Sequence, residues 1–244
     1  VNGYGEDLAS IHDQGFSELA GLAAARILEL LGDSGIDSGL IVELGCGGGV
    51  SARRWVVAGY QVLGIDHSPA MIEIARRRVP AARFRTGSFL DAPLPSCAAI
   101  VAIGEVLNYR LDPDLDDAAL PALYRRAYEA LQPGGLFVFD LAGPGRVAGG
   151  GPVRTWSAGP DWAVLVESEE DAARRLLTRR MTTFRQAGDG YRRGEEVHLQ
   201  RLYPPAEVLA DLGAAGFFAR DMPGYGLGRF APGHNVFIAE RSPS

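Results

Sequence analysis

The sequence predicts an α/β fold: a doubly wound, mostly parallel seven-stranded sheet with an antiparallel β insertion after the fifth strand. Three observations lead there. Between residues 40 and 142, short apolar runs alternate with helical stretches. Between 153 and 203 the pattern changes to several strand-like segments separated by turn signals. After 204 the helix–strand alternation resumes, so the sheet is unfinished before the insertion.

The elements follow in order. Residues 4–31 place Leu8, Ile11, Leu19, Leu22, Ile27, Leu30 and Leu31 near a helical period, and Gly15 is expected to divide them into two helices. "GDSGIDSG" is a turn-rich link. Strand one is expected at Leu40–Leu44, with a helix starting near Val50. Strand two is Tyr60–Asp66. In "SPAMIEIARRRV", Ser68 serves as N-cap and Pro69 takes the first helical position. Strands three and four are expected at Ala82–Gly87 and Cys97–Gly104. The helix "DAALPALYRRAYEALQ" runs into a Pro133-Gly134-Gly135 turn, and strand five follows at Leu136–Ala142. "GPGRVAGGGPVR" reads as a connector. "WAVLVESEED", "RRLLTRRMTTFRQ" and "YRRGEEVHLQRLY" read as antiparallel strands. "PPAEVLADLGAAGF" is a helix, and "FFARDMPGY" and "NVFIAER" are the last strands. The expected division is an N-terminal helical segment (1–36), an α/β core (37–149 and 204–244) and the insertion (150–203).

Composition narrows the function. The 244 residues are 47% hydrophobic, enough for a sizeable core, and no run approaches a membrane span. "VNGYGEDLAS" lacks the basic and apolar regions of a signal peptide. The net charge of −6 argues against a nucleic-acid partner, and the arginine pairs and triplets at 53–54, 76–78, 174–175 and 179–180 are expected on solvated faces. Cys46 and Cys97 have no nearby Cys or His at metal-ligand spacing, so no metal and a reduced, cytoplasmic setting are expected. The 24 basic residues are all arginine. The absence of lysine excludes Schiff-base chemistry, the P-loop lysine of an ATPase and the Tyr/Lys pair of short-chain dehydrogenases.

The chemistry centres on "IVELGCGGGVSARRW", residues 41–55. A dinucleotide loop calls for a third glycine where this chain has Val50. Glu43, two residues before the first glycine, puts negative charge beside the ligand. That is awkward for a pyrophosphate and suits an ammonium or sulfonium group. Asp66, at the end of strand two, is placed to accept hydrogen bonds from ribose hydroxyls.

Here the sequence resembles the class I S-adenosylmethionine (SAM)-dependent methyltransferases of small-molecule type. "VELGCGGG" looks like their first motif, "GIDHSPAMIEIAR" like their second-strand motif, and "LQPGGLFVFDL" like their fifth-strand motif. The resemblance covers roughly 39–142 and implies a Rossmann-like sheet with SAM as cofactor. It implies that Gly45, Cys46 and Gly47 bring backbone to the methionine part, and that Glu43 orders the loop or meets the ammonium. It implies that Asp66 binds the ribose and that His67 and Met71 pack near the adenine. "TGSFLD" departs from the family, because Ser88 stands where many relatives have an acid. A weaker polar contact from Ser88 and an apolar wall from Phe89 are expected. Gly104 and Glu105 would face the methionine and substrate side. Tyr4 resembles the aromatic residue of an N-terminal helical lid.

For proton removal from a substrate amine or hydroxyl, His198 is the first candidate and Glu105 the second. In "EEVHLQRLY", Glu196, His198, Gln200 and Leu202 share one face, which is either solvent-exposed or the wall of a substrate pocket. The expected reaction is methyl transfer to N or O of a small molecule, without nucleic acid or membrane, and with a homodimer left open. The rivals are a non-catalytic SAM-binding module and an NAD-dependent oxidoreductase.

Overall fold

The computed structural model describes residues 4–110, 118–147, 151–226 and 231–243. The main sheet has seven strands: β1 (Leu40–Leu44), β2 (Gln61–Asp66), β3 (Arg83–Thr86), β4 (Cys97–Ala102), β5 (Leu131–Ala142), β10 (Phe218–Met222) and β11 (His234–Glu240). Their order is β10-β11-β5-β4-β1-β2-β3, and β11 runs antiparallel to both its neighbours. The winding reverses between β1 and β4, which pair in parallel, so the crevice at their carboxyl ends is the topological switch point.

Helices cover both faces. Residues of α2 (Glu18–Asp33), α3 (Val50–Val57) and α4 (Pro69–Arg78) close one core around Ile27, Trp55 and Ile72. Residues of α5 (Ala119–Ala130) and α6 (Pro205–Ala214) close the other around Tyr124, Phe137 and Leu212. Asp117, expected to open α5, lies outside the described residues, as do residues 148–150 of the connector. Ser68 caps α4 as expected, its Oγ accepting from Met71 N at 3.3 Å. Among the described residues no helix is long and apolar enough to cross a membrane.

Two differences from the sequence expectation have a physical reason. β5 starts at Leu131 rather than Leu136, because the Pro-Gly-Gly segment forms an irregularity inside the strand: Cys97 pairs with Leu131, and the next partners are Ala99 and Leu136. A further strand, β6 (Val153–Ala158), begins at the end of the expected connector and precedes the three strand segments singled out in the insertion. It is an edge strand exposed at nearly every position, so no alternation of apolar residues marks it.

β6, β7 (Trp162–Asp171), β8 (Leu176–Ala187) and β9 (Gly190–Arg201) form a separate antiparallel sheet in sequence order. Its inner face packs on α1 (Glu6–Gly15) through Ile11, Trp162 and Val164. The chain breaks at Gly15 as expected. A Cβ there would lie 2.6 Å from the Trp162 ring, so only glycine lets the indole close over the end of the helix. Asn108, in a short 3-10 turn after β4, fastens the insertion to the core. Its Nδ2 donates to Ala142 O at 2.9 Å and Arg201 O at 2.5 Å, and its Oδ1 accepts from Ala142 N at 2.9 Å. The second sheet therefore joins the core at the carboxyl ends of β4 and β5.

Candidate active site

The glycine loop turns sharply out of β1. Gly45 N and Cys46 N both donate to Ile65 O, at 2.7 and 3.1 Å, which folds the loop over the end of β2. Gly45, Gly47 and Gly49 have φ of +66°, +49° and +77°, a conformation that L side chains rarely adopt. Space above Gly47 is open, whereas a Cβ on Gly45 would strike Val106 at 2.4 Å.

Asp66 braces this loop. Its Oδ2 accepts from Gly47 N at 2.8 Å and its Oδ1 from Ser68 N at 2.9 Å, so one carboxylate ties the loop to the start of α4. Burial pushes its pKa up, against the pull of these backbone donors. Each oxygen keeps a lone pair for a further donor. Glu43 is buried, accepts from Ser51 Oγ through Oε1, and leaves Oε2 with no partner. Burial pushes its pKa up to about 8, with the Ser51 contact opposing.

A small cavity of about 80 Å³ beside the loop is lined by Tyr4, Gly45, Asp66, His67, Phe89 and Tyr109, among others. The Cys46 side chain belongs to the core beneath the loop, so only its backbone is available to a ligand. Met71 is buried with Ile72 and Ala75 along α4. Ser88 Oγ accepts from Leu90 N at 3.1 Å within its own turn, which leaves its O–H to donate. His67 is exposed at the rim.

A larger cleft of about 600 Å³ shares Tyr4 and Tyr109 as walls with the first cavity. Leu8, Leu19, Leu22, Val164 and Met181 give it an apolar side, while Glu105, Arg146, Arg179, His198 and His234 give it a polar one. Gly104 lines it too, on the side of the strand ends. Glu105 has a left-handed backbone, φ +60°, unusual for a non-glycine residue. Asp140 holds that turn, accepting from Gly104 N at 2.9 Å, from Glu105 N and from Tyr225 OH at 2.8 Å. The Glu105 side chain meets Arg146, Arg179 Nη2 at 3.2 Å and His234 Nδ1 at 3.6 Å. Burial raises its pKa, but the His234 ring and the two guanidiniums outweigh that and hold it at about 2. A carboxylate held so low is a poor proton acceptor, which counts against Glu105 as a base.

His198 faces inward and is only 1% exposed. Its Nε2 lies 3.0 Å from Glu196 Oε2. The Glu196 carboxylate also accepts from Tyr4 N and Gly5 N, both at 2.9 Å. Tyr4 is tied on three sides, because its carbonyl accepts from Ser68 Oγ at 2.7 Å and its hydroxyl lies 3.2 Å from that of Tyr109. The His198 ring sits 5.1 Å from the Tyr4 ring and 5.3 Å from the Tyr109 ring. The face of β9 that carries Glu196 and His198 is therefore a cleft wall rather than a solvent face.

Sequence reasoning missed Tyr109, Asp140, Arg146 and Arg179. Asp140 did leave a signal, as a lone acid inside the apolar run "LFVFDLA". Two arginines expected on solvated faces are not there. Arg179 points into the cleft while Arg180, one residue on, pairs with Glu167 and Glu169. Arg78 binds Asp13 of α1 at 2.6 and 2.7 Å and also donates to Gly48 O, which locks α1 to the glycine loop.

Residues 41–135 match the family model described as a methyltransferase domain. A malonyl-[acyl-carrier protein] O-methyltransferase of Serratia marcescens is 29% identical over 106 residues, 43% of this chain and 39% of that protein. This chain thus matches about two-fifths of that relative's length. Among solved structures, a SAM-dependent methyltransferase from Clostridium acetobutylicum superposes with a TM-score of 0.80 at 17% identity, covering 96% of this chain and 97% of its own. A sugar N-methyltransferase from Streptoalloteichus gives 0.79 at 20% identity, covering 99% and 97%. Residues 41–135 thus resemble a methyltransferase domain, and the chain shares the fold of these solved methyltransferases.

Proposed function

We propose that this chain is a SAM-dependent methyltransferase that methylates a nitrogen or oxygen of a small molecule. The observation that carries the reading is the shared wall. Tyr4 and Tyr109 border both the glycine-loop cavity and the cleft holding Glu105 and His198. A cofactor on one side and a substrate on the other would meet there.

The residues fit such a cofactor. Gly47 leaves its backbone open, Asp66 has lone pairs for ribose hydroxyls, and Glu43 Oε2 lacks a partner that an ammonium group or a bound water would supply. Phe89 offers an apolar wall. Bound there, SAM supplies a methyl group already activated by its sulfonium. The chain's own task is to align the acceptor and exclude water.

His198 is the proton acceptor in this reading. With Nε2–H donated to Glu196, Nδ1 is left as the ring's accepting atom, and the carboxylate stabilises the imidazolium that forms. Glu105 stays ionised and holds Arg146 and Arg179 at the cleft. The sugar N-methyltransferase that matches 99% of this chain supports an amine on a small polar scaffold. The Serratia relative is an O-methyltransferase, which keeps oxygen as an acceptor.

Incubation with labelled SAM and a metabolite extract tests the reading, and label should pass to a small molecule. SAM binding with no transfer to any fraction would favour the non-catalytic module. Stabilisation by NAD and not by SAM in a thermal-shift comparison would overturn the cofactor assignment.

A further inference from the structure

We propose that the methyl acceptor is an amino-carboxylate: a small amine whose carboxylate lies only a few bonds from the accepting nitrogen and is held by Arg179. This rests on the methyltransferase reading, with His198 as proton acceptor, and names the class of substrate. Arg179 and His198 are register partners across β8 and β9, so both side chains rise from the same face, with Cβ atoms about 5 Å apart. Both line the cleft of about 600 Å³. An anion on the one and an amine at the other must therefore belong to one compact molecule.

The charges leave room for one anion. Glu105 spends Oε1 on Arg146 and Oε2 on Arg179 Nη2, the latter at 3.2 Å. Two guanidiniums share one carboxylate, so a positive charge is left over beside it. Burial lowers the Arg146 pKa, Glu105 raises it and Arg179 lowers it again, as expected of two cations crowded on one anion. One N–H of Arg179 is spent on Glu105, while its Nε and Nη1 make no hydrogen bond to any described residue. A carboxylate can accept two of the remaining N–H groups side by side and take up the spare charge. The same guanidinium acts on the wall shared with the cofactor cavity: burial raises the pKa of Tyr4 and of Tyr109, and Arg179 pulls against it at both.

The rest of the cleft limits what the acid can carry. Met181 follows Arg179 on the same face of β8 and stands opposite Val166 of β7, and Leu19 and Leu22 of α2 line the same cleft. These surfaces take an apolar substituent. A diphosphate would bring more charge than Glu105 leaves uncompensated, and among the described residues no third arginine lines the cleft. In the reaction the acceptor's ammonium passes one proton to His198 Nδ1. The freed lone pair forms the new N–C bond as the C–S bond of the sulfonium breaks and its electron pair returns to sulfur. The imidazolium then yields its proton to water. The carboxylate stays on Arg179 throughout, which keeps the nitrogen beside Tyr4 and Tyr109.

Calorimetric titration of a panel of apolar α- and β-amino acids, each beside its amide, into the full chain saturated with S-adenosylhomocysteine tests this. At least one acid should bind about 100-fold or more tightly than its amide. Arg179→Gln should abolish that preference and raise the KM for the acid about 100-fold with a far smaller loss in kcat, while SAM affinity and the far-UV circular dichroism stay unchanged. If the glutamine variant fails to fold, Arg179→Lys keeps the charge without the planar fork and should bind the acid roughly tenfold more weakly than wild type. Equal binding of acids and amides would overturn the proposal, as would a folded Arg179 variant that binds the acid as wild type does. So would transfer of labelled methyl only to uncharged or phosphate-linked amines, an outcome that leaves the methyltransferase reading standing. That reading falls, and the proposal with it, if SAM itself does not bind.

Discussion

His198 Nε2 and Glu196 Oε2 lie 3.0 Å apart on the inner face of one strand, and the same carboxylate holds the backbone of Tyr4 and Gly5. One acid thus orients the ring and fastens the N-terminal segment over the cleft. His198→Ala should lower turnover about 100-fold or more with little change in SAM affinity, because the glycine loop and Asp66 lie elsewhere. Turnover within a few-fold of wild type would dismiss the base role. Glu196→Gln keeps the acceptor oxygen and should cost less.

Asp66 has two duties. Asp66→Ala removes the expected ribose contact, a loss of about 1.5–3 kcal/mol, or roughly tenfold to a hundredfold in SAM affinity. It also frees Gly47 N and Ser68 N, so the loop itself should loosen. Calorimetric titration of SAM into both proteins checks this, and equal affinities would refute the ribose assignment.

Glu43 gives a pH signature. Its pKa stands at about 8 in the folded chain against 4.5 ordinarily. The folded state therefore holds this proton more tightly. The contribution to stability is complete below pH 4.5 and is lost as pH rises through the window to about 8. Glu43→Gln should flatten that part of the melting-temperature profile. If an ammonium group meets Oε2, SAM binding near pH 7 should release a proton, seen as a binding enthalpy that depends on the buffer. The variant should lose that dependence.

Asn108 joins the insertion to the core through three hydrogen bonds. Asn108→Ala leaves Ala142 N and Arg201 O without these partners and should destabilise the chain by about 2–3 kcal/mol in urea unfolding. A loss below about 0.5 kcal/mol would show that the anchor lies elsewhere.

The sequence determined the sheet and its loop, because both rest on local rules. The left-handed turns at Gly45, Gly47 and Gly49 need glycine, the Ser68–Pro69 start needs no distant partner, and buried strands show as apolar runs. β6 escaped because an exposed edge strand has no buried face to impose a period. The strands of the insertion were legible, while the roles of their faces were not. Adjacent residues such as Arg179 and Arg180 differ only in which face they take, and packing against α1 and the core decides that. The Glu105 cluster gathers residues up to 129 positions apart, from 105 to 234. No local pattern encodes such a meeting. Arg146 after β5, Arg179 on the second sheet and His234 on the main sheet reach Glu105 only in the folded chain, and it is their mutual field that turns Glu105 from a candidate base into a fixed anion.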